Sequence, residues 1–129
     1  MNKAIPETRH LVLAVNDDPA SDLALYAWLA ERGVAVLRAY STEHALRLLT
    51  RARVQLVISD LARQEGQILN KTAGIALAQA IRALGCDAPM VIFTNDKSPQ
   101  IKTLALEAGA NHVTEHGDAL LEWLRNQGI

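Results

Sequence analysis

Five short apolar runs recur along the chain: Leu11 to Val15, Val34 to Tyr40, Val54 to Ser59, Met90 to Thr94, and a weaker one from Asn111 to Thr114. The first, third and fourth are nearly continuous in apolar residues. A run that does not alternate predicts a strand covered on both faces, as in a parallel sheet. The second is broken by Arg38, which predicts an edge strand. Between the runs the apolar period becomes helical. Leu25, Trp28 and Leu29 share one face of a segment from about Ser21 to Arg32, and Ala45, Leu48, Leu49 and Ala52 share another. Gly74, Leu77, Ala78 and Ile81 repeat the pattern, as do Ile101, Leu104, Ala105 and Ala108, and finally Leu120, Leu121 and Leu124.

Boundary residues agree with these elements. Ser41 and Ser98 stand where an N-cap is expected, and Pro99 follows at a first helical position, where a missing N–H costs nothing. Gly33, Gly85 and Gly109 fall where helices should stop. Trp28 and Trp123 read as packing anchors rather than ligand contacts. One connection is long: LARQEGQILNKT, from Leu61 to Thr72, joins the third strand to its helix with no period of its own, which predicts a functional loop.

Strict alternation of strand and helix predicts an α/β domain, a (βα)5 parallel sheet with helices on both faces and right-handed crossovers. For five strands the common order is 2-1-3-4-5, whose topological switch point lies between the first and third strands. Chemistry is expected there, at the carboxyl ends. With 129 residues the expectation is one domain spanning 1–129, its core at about 11–124.

Composition narrows the classes. Half of the residues, 50%, are hydrophobic but only 4% aromatic, so the core must be built from Leu, Ala, Val and Ile. The 13 Lys and Arg nearly balance the 14 Asp and Glu, so no basic face for nucleic acid or a membrane surface is expected. A lone cysteine, Cys86, allows no internal disulfide and reads as a small buried or half-buried hydrophobe, which suits a reducing cytoplasm. No signal peptide or membrane-spanning run of about 18 apolar residues is expected. Gly-rich phosphate loops, Ser-His-Asp arrangements and zinc spacings are absent, with His10, His44, His112 and His116 scattered over different elements.

The remaining chemistry is acidic. Asp17 and Asp18 follow the first strand and Asp60 follows the third, so in this strand order three carboxylates converge across the switch point. Like charges at close quarters need compensation, and hard oxygen donors suit Mg2+. The plainer reading is a set of solvated or helix-capping acids. Thr94 ends the fourth strand and His116 lies just past the fifth; one offers a hydroxyl donor and the other a conditional positive charge.

In order and spacing these segments resemble the receiver domain of two-component response regulators, with its flavodoxin-like fold. LVLAVNDDPAS is similar to the first strand with its acidic pair, VQLVISDL to the third strand with the phosphoacceptor, APMVIFTND to the fourth with its hydroxyl residue, and EAGANHVTEH to the segment entering the fifth. The resemblance implies that Asp60 accepts a phosphoryl group from a histidine kinase or phosphotransfer protein. Mg2+ would be held by Asp17 or Asp18, by Asp60 and by the carbonyl of Ala62, and Thr94 would hydrogen-bond the phosphoryl group. It implies a cytoplasmic phosphoprotein rather than an enzyme, with the fourth helix, fifth strand and fifth helix as a contact or homodimer face. Three departures stand out: His116 where the family has Lys, Gly117 where it has Pro, and Val113 at the aromatic switch position. The loop after Asp60 is also longer, and its Arg63, Glu65 and Lys71 would be solvated, the usual state of charged loop residues, or else cover the site or form a partner surface. These departures keep an alternative open, a pseudo-receiver adaptor that is not phosphorylated. A third reading is an unrelated flavodoxin-like enzyme or small-ligand binder.

Overall fold

Strand burial follows directly from the apolar runs. In the computed structural model, which describes residues 10–129 apart from Pro19, Ser21, Lys97 and His116, the chain forms β1 (Leu11–Val15), α1 (Leu23–Glu31), β2 (Ala35–Ala39), α2 (Thr42–Leu49) and β3 (Leu56–Ser59). There follow β4 (Arg63–Glu65), β5 (Ile68–Asn70), α3 (Ala73–Ala83), β6 (Met90–Phe93), α4 (Pro99–Ala108), β7 (His112–Thr114) and α5 (Gly117–Asn126). Five strands make one parallel sheet in the order β2-β1-β3-β6-β7. Counted along this sheet alone, that is the expected 2-1-3-4-5.

Successive side chains of a strand point to opposite faces, and two cores result. Leu13, Val15, Val57, Met90 and Ile92 pack under α2, α3 and α4 through Ala45, Leu77, Ile81 and Ala105. Val12, Leu56, Ile58 and Val91 pack under α1 and α5 through Leu29, Leu120 and Leu124. Trp28 and Trp123 border this second core, as packing anchors should. Cys86 is half-buried, and β2 is the partly exposed edge strand that Arg38 predicted.

The caps agree with one exception. Ser41 accepts a bond from the His44 N–H and caps α2. Ser98 holds the N-cap position of α4, with Pro99 next, but its hydroxyl accepts no capping bond and donates to Gln100 Oε1 at 2.8 Å instead. Gly33, Gly85 and Gly109 all have positive φ, the left-handed stop that only glycine adopts without cost. The expected start of the first helix, Ser21, lies outside the described residues.

The long connection is corrected. Within 61–72 the chain forms an antiparallel hairpin, with Arg63 opposite Asn70 and Glu65 opposite Ile68. Strands of three residues are too short to show a period. Their turn is carried by Gly66, at φ 63, followed by Gln67 at negative φ, the pattern of a two-residue hairpin turn with glycine first.

Candidate functional site

Asp60 leaves the carboxyl end of β3, between the ends of β1 and β6. Its N–H bonds the Val15 carbonyl at 3.1 Å, which continues the parallel ladder one step past the strand. This places it at the switch point. A cleft of about 170 Å3 opens beside it, lined among others by Asn16, Asp22, Tyr26, Ser59, Asp60 and Thr94. Thr94 sits on the far wall, its N–H on the Thr114 carbonyl and its hydroxyl accepting the Asp96 N–H at 3.1 Å.

The hairpin closes the other side. Residues two apart in a strand share a face, so Arg63 and Glu65 both turn inward. The Arg63 side chain is fully buried. Its Nη1 donates to Asp60 Oδ1 and to Ser59 Oγ at 3.2 Å, its Nε to Glu65 Oε1 at 2.9 Å, and its Nη2 to Thr42 Oγ1 at 2.9 Å. Glu65 in turn accepts from the Thr42 N–H and hydroxyl, at 2.9 and 2.7 Å, at the first turn of α2. A negative charge is favoured there by the helix dipole. Asp17 Oδ2 accepts the Gln64 N–H at 2.7 Å and ties the hairpin to the end of β1.

These contacts set the two carboxyl groups apart. Burial pushes Asp60 up from 3.8 to about 6, outweighing the Arg63 guanidinium, with the nearby Asp17 charge adding to the rise. Burial would raise Glu65 as well, but the Thr42 hydroxyl, Arg63 and the Thr42 N–H prevail and hold it below its ordinary value.

Residues 12–115 match the family described as the response regulator receiver domain. The chain belongs to that family. The transcriptional regulatory protein DltR of Streptococcus agalactiae is 26% identical over 117 residues, covering 88% of this chain and 50% of that protein. The chain thus spans about half the length of this curated relative. Among solved structures, the receiver domain of Saccharomyces cerevisiae Ssk1, crystallised with the phosphotransfer protein Ypd1, superposes with a TM-score of 0.78 at 21% identity, covering 93% of this chain and 89% of that one. Thermotoga maritima TrrA, solved with Mg(2+)-BeF, gives 0.73 at 24% identity, covering 92% and 98%. At such identities the likeness is one of fold. The family match, by contrast, makes the chain a receiver domain of two-component signalling. Among the described residues no helix is long and apolar enough to cross a membrane.

Of the receiver's expected site residues, Asp60 and Thr94 share the cleft. Asp17 stands near Asp60 but is engaged by the hairpin. Asp18 does not line the cleft; it is exposed, and its Oδ1 accepts the Ala20 N–H at 2.9 Å. Ala62 is an exposed residue of the bend between Asp60 and β4. His116 lies outside the described residues. Val113 is packed against the first core.

The expectation of solvated loop charges fails at Arg63. A buried guanidinium on Asp60 was not legible from the sequence, because only the hairpin's register aims it inward. Asn16 was passed over too. It follows Val15, which pairs with Ser59, so it faces Asp60 across the switch point, and its amide donates to Asp22 Oδ2 at 3.0 Å. Being an amide, it brings no charge. Gly74 is a third omission. A Cβ there would come within 2.3 Å of the Asp60 carbonyl oxygen, so α3 can begin this close to the acceptor only on glycine.

Mg2+ requires about six oxygen donors in near-octahedral geometry, with carboxylates among them. Here the Asp60 carboxylate already carries a guanidinium, the adjoining strand end offers the Asn16 amide, and Asp17 is spent on the hairpin backbone. Among the described residues no group of three or more His, Cys, Asp or Glu side chains is placed to hold a metal. As they stand, these residues do not fit the ion.

Proposed function

We propose that Asp60 accepts a phosphoryl group from a histidine kinase or phosphotransfer protein, making the chain a phosphorylation-dependent interaction switch. The observation that carries this reading is the place of Asp60. It ends the central strand at the switch point and lines a cleft that also presents the Thr94 hydroxyl. The Ypd1 complex of the Ssk1 receiver supports a phosphotransfer protein as the class of donor.

In the transfer, an oxygen of Asp60 bonds phosphorus as the P–N bond of a phosphohistidine breaks. The imidazole keeps that electron pair and takes up a proton. Such transfers depend on positioning and on charge compensation of the phosphoryl oxygens. Arg63 supplies fixed positive charge beside the acceptor, and Thr94 has a hydroxyl proton to donate. The product is an acyl phosphate lost by hydrolysis, so the chain is a signal acceptor rather than an enzyme with an outside substrate. Mg2+ is implied by the family and bound by the Thermotoga relative, but it has no step here.

A second reading, an adaptor that is never phosphorylated, is favoured by the Asp60–Arg63 ion pair, since a paired carboxylate is a weaker nucleophile. Mass spectrometry after exposure to a small phosphodonor, with and without Mg2+, decides between them. One added phosphoryl group on the native chain and none on Asp60→Asn is expected. No addition under either condition, together with partner capture unchanged by Asp60→Asn, would establish the adaptor.

A further inference from the structure

We propose that Arg63 is the resident cation of the acceptor site, doing for Asp60 what a bound divalent ion does elsewhere, so that this site excludes Mg2+. A corollary, which rests on the phosphoacceptor reading, is that transfer to Asp60 proceeds without a divalent ion.

Three features support this. The guanidinium is held rather than merely nearby: it is fully buried and donates to Asp60, Ser59, Glu65 and Thr42, using four of its five N–H groups. Its backbone is held too, because Gln64 is tied to Asp17, and Glu65 to the start of α2. Finally, the carboxylates a metal would need are missing or committed. Asn16 faces Asp60 as a neutral amide, Asp17 serves the hairpin, and Asp18 turns away to the Ala20 N–H. The charge count is consistent. Arg63 offsets one negative charge of the Asp60, Asp17 and Glu65 group without help from solution, whereas a metal would have to expel it first.

Expulsion would break every one of those bonds and leave Glu65, Ser59 and Thr42 without the buried donor that pairs them. Removing one partner of a buried pair is costly enough to weaken metal binding by at least about a hundredfold. Glu65 and Thr42 have a second role here, as positioning residues that keep the guanidinium fork on Asp60 rather than in solvent.

The test is a Mg2+ titration followed by calorimetry and by amide chemical shifts, on the native chain, on Arg63→Ala, and on Arg63→Gln, which keeps a donor for Glu65. No phosphodonor is used, so the result is independent of whether Asp60 is ever phosphorylated. The native chain is expected to show no saturable binding at millimolar Mg2+. At least one Arg63 variant should gain it, with shifts at Asp60 and Asp17, and should lose it again when Asp60→Asn is added. Saturable binding by the native chain at Asp60 would overturn the proposal, and so would folded Arg63 variants that remain unable to bind. Phosphorylation in the presence of a chelator then reads the corollary alone: equal labelling with and without Mg2+ is expected, and labelling that needs Mg2+ rejects it.

Discussion

Asp60 is pulled in opposite directions by burial and by its guanidinium neighbour, and burial prevails, leaving it near 6 against an ordinary 3.8. A raised pKa means that the folded chain holds this proton more tightly than the unfolded chain does. Stability from this group is therefore full below about pH 4 and declines as pH rises toward 6. Asp60→Asn removes the titration. The stability difference between variant and native chain should therefore shift in favour of the variant between pH 4 and 7, by up to about 2 kcal/mol once solvent screening is allowed for. Glu65 works the other way: its lowered pKa gives stability that is lost only in more acidic solution, below its ordinary 4.5. Urea denaturation at closely spaced pH values measures both. A difference that is flat from pH 4 to 7 would show that Asp60 titrates normally.

At the scale of elements, the acceptor is shaped by the close approach of α3 to the end of β3. The Gly74 N–H bonds the Leu61 carbonyl at 2.8 Å while its α-carbon passes over the Asp60 carbonyl. Inside a helix, alanine normally stabilises relative to glycine by about 1 kcal/mol. Gly74→Ala should do the reverse, because the added methyl meets backbone that has nowhere to go, and a loss of about 1–3 kcal/mol is expected. A stabilised variant in chemical denaturation would contradict the contact. The hairpin shows a different lesson of the same scale. Its strands pair only with each other, and an isolated two-stranded hairpin is marginal in water. It stands because Arg63, Glu65 and Gln64 fasten it to β3, α2 and the loop after β1.

The whole molecule thus has a stiff part and a fastened part. The central strands β1, β3 and β6 are buried on both faces, whereas Ile68 and Leu69 on the hairpin are 72% and 56% exposed. Buried elements open only with global unfolding, while lightly packed ones open at lower free energy. Hydrogen exchange should accordingly show slow amides at Val12, Val57 and Val91 and faster ones through β4 and β5. Glu65→Gln should speed the hairpin roughly tenfold, the worth of about one charged hydrogen bond, and leave the central strands unchanged. Equal acceleration everywhere would mean that the hairpin belongs to the same cooperative unit as the sheet.

Most of this architecture was legible along the chain. Uninterrupted apolar runs such as Leu11 to Val15 can only be satisfied by cover on both faces, and glycines such as Gly109 mark stops because a side chain resists positive φ. The same reasoning put Asp60 and Thr94 at neighbouring strand ends, since 2-1-3-4-5 is the common order for five alternating strands, and the sheet has it. Only the tertiary structure decided what surrounds Asp60. Register turned Arg63 inward and Asp18 outward, and it brought Thr42, twenty-one residues before Arg63, onto the guanidinium. Local pattern encodes which face of an element is apolar. Which charge meets which is set by a few ångströms of packing between segments distant in sequence, and no local pattern carries that.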